Sequence, residues 1–150
     1  MSTSVDLLAP GSLGNFALVE PFLPQVDYFL PNEDQVLGFT GVPDLDAGCR
    51  KLLAGGVGAV AATRGADGAY FVDSTGDLAL SAFDVEVVDT TGCGDAFSAG
   101  FVVGAKSGRE PRLAAELGCA VAALVAQGLG SGFGDFDLAA AEALVESRLQ

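Results

Sequence analysis

Short apolar segments alternate with polar or helix-like stretches through the first 90 residues, and this alternation limits the chain to few folds. Six segments have the length and apolar character of strands: residues 4–9, 26–30, 59–63, 69–72, 78–80 and 85–88. The polar residues 74–77 separate two of them and predict a hairpin. The pattern predicts an α/β fold in which a sheet is covered by helices.

After residue 94 the apolar residues recur with a helical period. Three helices are predicted, at residues 95–106, 111–127 and 137–149. Pro111 suits a first helical turn, and Gly128 follows a helix end. Residues 128–134 are rich in glycine and predict a connecting loop. No repeat or linker is visible, so a single domain without an internal boundary is expected for 150 residues.

Charge and residue usage exclude several classes of function. Seven basic and twenty acidic residues give a net charge of −13, which repels nucleic acid and anionic membranes. Histidine is absent, so histidine-dependent triads are excluded. Three widely spaced cysteines and the lack of an export signal predict a cytoplasmic protein. A polyphosphate ligand would need local backbone N–H groups and a metal ion.

Residues 89–100, which read DTTGCGDAFSAG, lie between a predicted strand and a predicted helix. Gly92 and Gly94 allow backbone N–H groups to converge at the helix N-terminus, where the helix dipole favours an anion. Asp95 lies at the edge of this cradle and could accept a proton from an attacking hydroxyl. Alternatively, Asp95 only caps its helix and the glycines form a tight turn.

This segment resembles the second signature of the ribokinase-like (PfkB) carbohydrate kinase family, Asp-Thr-x-Gly-Ala/Cys-Gly-Asp before a helix of small residues. The resemblance implies that Asp95 deprotonates the substrate hydroxyl. It also implies an anion hole for the γ-phosphoryl group made of three residues: Gly92, Cys93 and Gly94. Asp89 and Thr91 would lie on a loop that binds a monovalent cation in many relatives, and dependence on potassium (K+) stays open.

Residues 26–32 are similar to the strand that leads into the family's Asn-x-x-Glu motif. The resemblance implies that Asn32 helps to hold magnesium and phosphate. Gln35 stands in place of the motif's glutamate, although Glu33 and Asp34 are adjacent, and an amide lacks the charge that a hydrated Mg2+ prefers. A polar helix start after a strand would explain the same residues.

Residues 63–69 resemble the family's Thr-x-Gly-x-x-Gly loop between two strands. Thr63, Gly65 and Gly68 would then border the phosphates and ribose of the nucleotide, whereas a glycine-bearing hairpin connection needs no ligand. Cys119 falls where relatives often carry Ala-Asn at the adenine site. It departs from that pattern, and its helix could be only core.

The resemblance spans essentially the whole chain but only the second half of the family's fold. We therefore expect the N-terminal half and its lid to be absent, and we expect the isolated chain to aggregate or form a homodimer through exposed apolar surface. The implied activity is phosphorylation, with ATP and Mg2+, of a hydroxyl on a small sugar or nucleoside.

Two alternatives remain at the level of sequence. One is a catalytically inactive nucleotide-binding or interaction fragment of such a kinase. The other is a fragment of a dinucleotide-binding oxidoreductase, suggested by the glycines at residues 56–58. Those glycines precede a predicted strand instead of following one, which is the wrong order for a dinucleotide fingerprint.

Overall fold

The computed structural model describes residues 2–8 and 15–148. The described residues group into two compact units: unit 1 within residues 1–64 and 70–79, and unit 2 within residues 65–69 and 80–150. The chain passes between the units after residues 64, 69 and 79. No single point separates them, which explains why the sequence contains no visible linker. The prediction of one domain for residues 1–150 stays a prediction.

Within the part of the chain that the structure describes, five strands form one sheet in the order β1-β2-β3-β4-β5. They are β1 Ser4–Val5, β2 Tyr28–Phe29, β3 Ala59–Thr63, β4 Ala69–Asp73 and β5 Gly76–Leu80. Apart from Ala69 and Leu80, their residues belong to unit 1. The pairs β1–β2 and β2–β3 are parallel, with Tyr28 opposite both Ser4 and Ala59. The expected α/β sheet is thus present.

The predicted hairpin is formed by β4 and β5, which a turn at residues 74 and 75 connects. The Asp73 carboxylate accepts hydrogen bonds from the Thr75 N–H at 2.7 Å and the Thr75 hydroxyl at 2.6 Å. Such side-chain bonds to the backbone stabilise tight turns. Strand β5 begins at Gly76, so it includes two residues that the sequence pattern assigned to the turn.

The described residues contain six α-helices: α1 Phe16–Val19, α2 Glu33–Thr40, α3 Leu45–Ala54, α4 Cys93–Lys106, α5 Pro111–Val125 and α6 Leu138–Ser147. Asp44 and Asp137 cap α3 and α6 by accepting backbone N–H groups three residues ahead. In unit 1, α2 and α3 pack against β3. Val36, Leu52 and Val60 are fully buried in this core. No helix within the described residues is long and apolar enough to span a membrane.

The predicted strand at residues 85–88 is wrong. This segment pairs with no strand among residues 2–8 and 15–148; instead the Val88 N–H donates to the carbonyl of Ala126, just beyond α5, at 2.8 Å. The side chains of Val87 and Val88 are 60% and 52% exposed. An apolar segment does not form a strand unless a neighbouring strand provides hydrogen-bond partners for its backbone N–H and C=O groups.

Other predicted bounds shift by a few residues. Helix α4 begins at Cys93, two residues earlier than predicted, and α5 ends at Val125. Strand β1 ends at Val5, and Ala9, the last residue of that predicted strand, lies outside the described residues. The same holds for Leu149, the last residue predicted for the final helix.

The glycines at residues 56–58 precede β3, as the sequence indicates. A Cβ atom on Gly58 would lie 2.6 Å from the Asp27 carbonyl oxygen, and one on Gly56 would lie 3.1 Å from a Pro24 side-chain carbon. These glycines therefore let α3 and β3 connect close to the segment before β2. The arrangement gives no support to a dinucleotide site.

In unit 2, α4 and α5 approach so closely that their backbones touch. A Cβ atom on Gly100 would lie 2.9 Å from the Gly118 Cα atom, and one on Gly104 would lie 3.0 Å from the Ala114 Cα atom. Phe97 and Phe101 are buried beside this contact. Small residues on both helices thus fix the separation of α4 and α5.

We predict that Gly100→Ala lowers the free energy of unfolding by about 1–3 kcal/mol, because the new methyl group must push the two helices apart. Urea denaturation followed by circular dichroism measures this. The control is Gly132→Ala, because a Cβ atom there meets nothing within 4 Å. Equal stability of both variants would contradict the close packing of α4 and α5.

Candidate functional site

Helix α4 begins directly after a glycine in a left-handed conformation. Gly92 has φ 80° and is the N-cap of α4, so no side chain caps this helix. The Cys93 N–H donates to the Thr90 carbonyl at 3.2 Å and the Ala96 N–H to the Gly92 carbonyl at 2.9 Å. Between them, the N–H groups of Gly94 and Asp95 find no acceptor among the described residues. The helix thus offers two donors to an anion.

The space around these two donors is open. A Cβ atom added at Gly94 would meet nothing within 4 Å, and Gly94 and Asp95 are both exposed. The Asp95 carboxylate belongs to the first turn of α4. A phosphate-sized anion could therefore reach the donors with a carboxylate beside it.

Cys93 was expected to form an anion hole together with Gly92 and Gly94, but its N–H and its thiol both have acceptors within the protein. Its N–H is already used in the turn to Thr90. Its thiol donates to the Ala122 carbonyl of α5 at 3.6 Å, and burial raises the pKa of this thiol. Cys93 thus anchors α4 to α5, and its role as a phosphate ligand stays a prediction.

Asp89 links the turn before α4 to a second loop. One carboxylate oxygen accepts the Thr91 N–H at 2.9 Å and the Thr91 hydroxyl at 2.8 Å. The other oxygen accepts the Gly130 N–H at 2.9 Å. The bonds from Gly130 and then Thr91 hold the pKa of Asp89 below its usual value, because they stabilise the charged form. Binding of a monovalent cation by Asp89 and Thr91 stays a prediction.

The loop at residues 128–134 contributes to the site, although the sequence suggested only a connection. Ser131 lies so close to Gly92 that a Cβ atom there would be 2.7 Å from the Ser131 Cα atom. Gly130 has φ 80°, which favours glycine. The density of glycine in this segment was the available signal, because backbones that approach this closely exclude larger residues.

In unit 1, Asn32 and Gln35 form a reciprocal cap at the start of α2. The Asn32 side chain accepts the Gln35 N–H at 2.8 Å, and the Gln35 side-chain oxygen accepts the Asn32 N–H at 2.9 Å. The Gln35 amide also donates to the Leu7 carbonyl at 2.7 Å, and Gln35 is buried. The departure from glutamate therefore has a structural reason, while contact of Asn32 or Gln35 with metal stays a prediction.

Asn32 and Thr63 are neighbours at the carboxyl ends of β2 and β3, where they form an isolated parallel bridge. Ligands of parallel α/β sheets bind at this edge. The Glu33 carboxylate lies 3.8 Å from the Arg64 guanidinium. The side chains of Asn32 and Glu33 carry oxygen atoms of the kind that Mg2+ prefers, but contact of either residue with a metal stays a prediction. No group of three or more acidic, cysteine or histidine residues that could hold a metal ion occurs in the described chain, so a Mg2+ at this edge would need further oxygen ligands, such as those of a phosphate.

The other residues predicted to border the nucleotide differ in how exposed they are. Gly65, at φ 57°, faces open space, whereas a Cβ atom on Gly68 would lie 2.0 Å from the Leu80 carbonyl oxygen. Gly68 is thus required for packing within unit 2. Cys119 is 6% exposed, and burial raises the pKa of its thiol to about 12. Contact of these residues with nucleotide stays a prediction, to which the burial of Cys119 adds no support.

These features define an α/β protein in which helix α4 has no side-chain cap and begins with two N–H groups that an anion could accept. The family model for the pfkB family of carbohydrate kinases matches residues 6–136. The chain therefore belongs to the pfkB carbohydrate kinase family.

Some known proteins are similar to this chain in sequence, and solved structures are similar to it in fold. An ATP-dependent 6-phosphofructokinase from Thermoanaerobacterium thermosaccharolyticum is 34% identical over 70% of this chain and 33% of its own length. A cytidine kinase from Thermococcus kodakarensis is 36% identical over 61% of this chain and 34% of its own. A ribokinase structure from Thermotoga maritima superposes with TM-score 0.78 at 29% identity, covering 85% of this chain and 44% of that one. This chain thus spans about a third to less than half of these relatives.

We predict that Gln35→Glu lowers the free energy of unfolding by about 1–3 kcal/mol at pH 7, although it restores the motif's glutamate. A carboxylate can still accept the Asn32 N–H, but it cannot donate to the Leu7 carbonyl and leaves a buried charge beside it. Urea denaturation measures the change. Asp34→Asn, an exposed change in the same helical turn, is the control, and a Gln35→Glu protein as stable as the control would contradict the buried cap.

Proposed function

We propose that this chain carries the phosphoryl-transfer part of a kinase that uses ATP and Mg2+ to phosphorylate a hydroxyl of a small sugar or nucleoside. The observation that carries the proposal is the start of α4, where two N–H groups without an acceptor in the described chain lie beside the exposed Asp95 carboxylate. Membership of the pfkB family and the sugar and nucleoside kinases among the relatives support it.

The cradle would act on the charge of the γ-phosphoryl group. During transfer, negative charge spreads over the three equatorial oxygens of that group. The N–H groups of Gly94 and Asp95 would donate to those oxygens, and the dipole of the 14-residue helix α4 favours negative charge at the same point. Donors that are already in place need no reorganisation when the charge develops.

Asp95 would serve as the catalytic base. Its carboxylate would accept the proton of the acceptor hydroxyl while the hydroxyl oxygen bonds to the γ-phosphorus and the bond from that phosphorus to ADP breaks, so that ADP leaves. Because base and cradle belong to one helical turn, α4 sets their separation. In the turn before α4, the Asp89 carboxylate accepts the N–H groups of Thr91 and Gly130.

Bound Mg2+ would neutralise charge on the phosphate oxygens of the nucleotide. In unit 1, Asn32 and Glu33 are the residues proposed to hold it, and the Arg64 guanidinium beside Glu33 would lower the charge available to the ion. K+ at Asp89 and Thr91 remains a separate proposal, since both Asp89 oxygens already accept hydrogen bonds.

A second candidate function is a catalytically inactive nucleotide-binding or interaction fragment. The observation in its favour is that the matches cover only about a third of the length of these two relatives. This candidate predicts binding of MgATP without transfer to any sugar or nucleoside.

Calorimetric titration with MgATP tests the cradle. We expect the wild-type chain to bind and Gly94→Val to lose about tenfold or more in affinity, because the side chain would fill the open space over the donors. Asp84→Asn, an exposed change outside both the start of α4 and the loop at residues 128–134, should bind like wild type. Equal affinity of wild type and Gly94→Val would remove the start of α4 from the nucleotide site.

Asp95→Asn should keep the affinity for MgATP but lower turnover by about a hundredfold or more, because an amide cannot take the proton. Turnover is measured as ADP formation with a panel of sugars, sugar phosphates and nucleosides. Asp84→Asn, an exposed carboxylate in the preceding segment, is the control. Turnover by Asp95→Asn at the wild-type rate would exclude Asp95 as the base, whereas MgATP binding without turnover in wild type would favour the inactive fragment.

A further inference from the structure

Two loops of unit 2 meet at the start of α4, and one carboxylate connects them. We call residues 89–92 the cradle turn and residues 128–131 the glycine loop. The cradle turn leads into α4, and the glycine loop follows α5. Asp89 belongs to the cradle turn, and its two oxygens accept hydrogen bonds from different loops: Thr91 on one oxygen and Gly130 on the other.

Other contacts make the connection specific. The N–H groups of Val88 and Asp89 both donate to the Ala126 carbonyl, at 2.8 and 3.2 Å, so the entry to the cradle turn is fixed at the end of α5. Ser131 packs on Gly92, where a Cβ atom would be 2.4 Å from the Ser131 Cβ atom. The glycine loop therefore touches the residue whose left-handed conformation starts α4.

We propose that Asp89 is a positioning residue that couples the glycine loop to the phosphate cradle through its own hydrogen bonds. This inference rests on the proposed function for its effect on nucleotide, but the coupling itself does not. If Gly130 were released, the glycine loop would no longer support Gly92, and the N–H groups of Gly94 and Asp95 would lose their fixed direction. Asp89 would thus act on phosphate without contacting it.

An amide at this position cannot replace the carboxylate. The two oxygens of Asp89 accept three hydrogen bonds, from donors that lie on two loops. Asparagine has one acceptor oxygen and one donor group, so either Gly130 or the Thr91 pair would face a donor. Asp89→Asn therefore breaks the connection while it changes the side-chain volume little. The matched control is Asp84→Asn, which removes the same charge from an exposed residue of the preceding segment.

Amide hydrogen exchange tests the coupling in the full chain without ligand. We expect Asp89→Asn to increase exchange in peptides from the glycine loop and in peptides covering residues 90–97, by about tenfold or more, because both segments open together. Asp84→Asn should leave both unchanged. Faster exchange in the glycine loop alone, or in neither segment, would overturn the coupling. Urea denaturation of both variants corrects for any change in global stability.

Nucleotide affinity tests whether the coupling serves the cradle. A purely structural defect would weaken MgATP and MgADP binding equally, whereas a displaced cradle loses only the contribution of the γ-phosphoryl group. We expect the ratio of MgATP to MgADP affinity to fall about tenfold in Asp89→Asn and to stay at the wild-type value in Asp84→Asn. An unchanged ratio in Asp89→Asn would overturn the positioning role. If wild type binds no MgATP, the proposed function fails, and the exchange result alone still supports or overturns the coupling.

Discussion

The direct backbone contact between α4 and α5 is the constraint on which the candidate site depends. Gly100 and Gly118 leave no side chain between the two helices at their nearest point. This packing at the middle of α4 fixes the axis of the helix relative to α5. The Cys93 thiol, bonded to the Ala122 carbonyl, adds a second attachment near the start of α4. The axis of the helix that carries the cradle is therefore set by packing about two turns away.

Local donors have to overcome an unfavourable charge. The chain carries −13 net charges, and that field opposes a polyphosphate. The start of α4 offers N–H groups and a helix dipole at short range, where they are least screened. Asp89 adds a negative charge nearby, but its oxygens are occupied by Thr91 and Gly130. The carboxylate charge is thus used to hold the loops that form the cradle.

The part of the site that could be predicted lies within one continuous segment. Residues 89–100 indicated a glycine turn and a helix start with an acidic residue beside it, because each of these depends on local backbone chemistry; binding of an anion there stays a prediction. Gly130, Ser131 and the capping role of Gln35 were not predicted. Each depends on a partner distant in sequence: Asp89 for Gly130, Gly92 for Ser131 and Leu7 for Gln35. No pattern within a single segment contains these pairs.

The sequence by itself determined the α/β class, the helices that follow Asp95, the hairpin and the family to which the chain belongs. Periodicity, capping residues and glycine positions act over a few residues, so they are visible without a structure. The tertiary structure alone decided that residues 85–88 lie beside the end of α5 instead of forming a strand, and that the glycine loop packs on Gly92. Those outcomes depend on which backbone groups find partners across the fold, and that choice is made only when distant segments pack together.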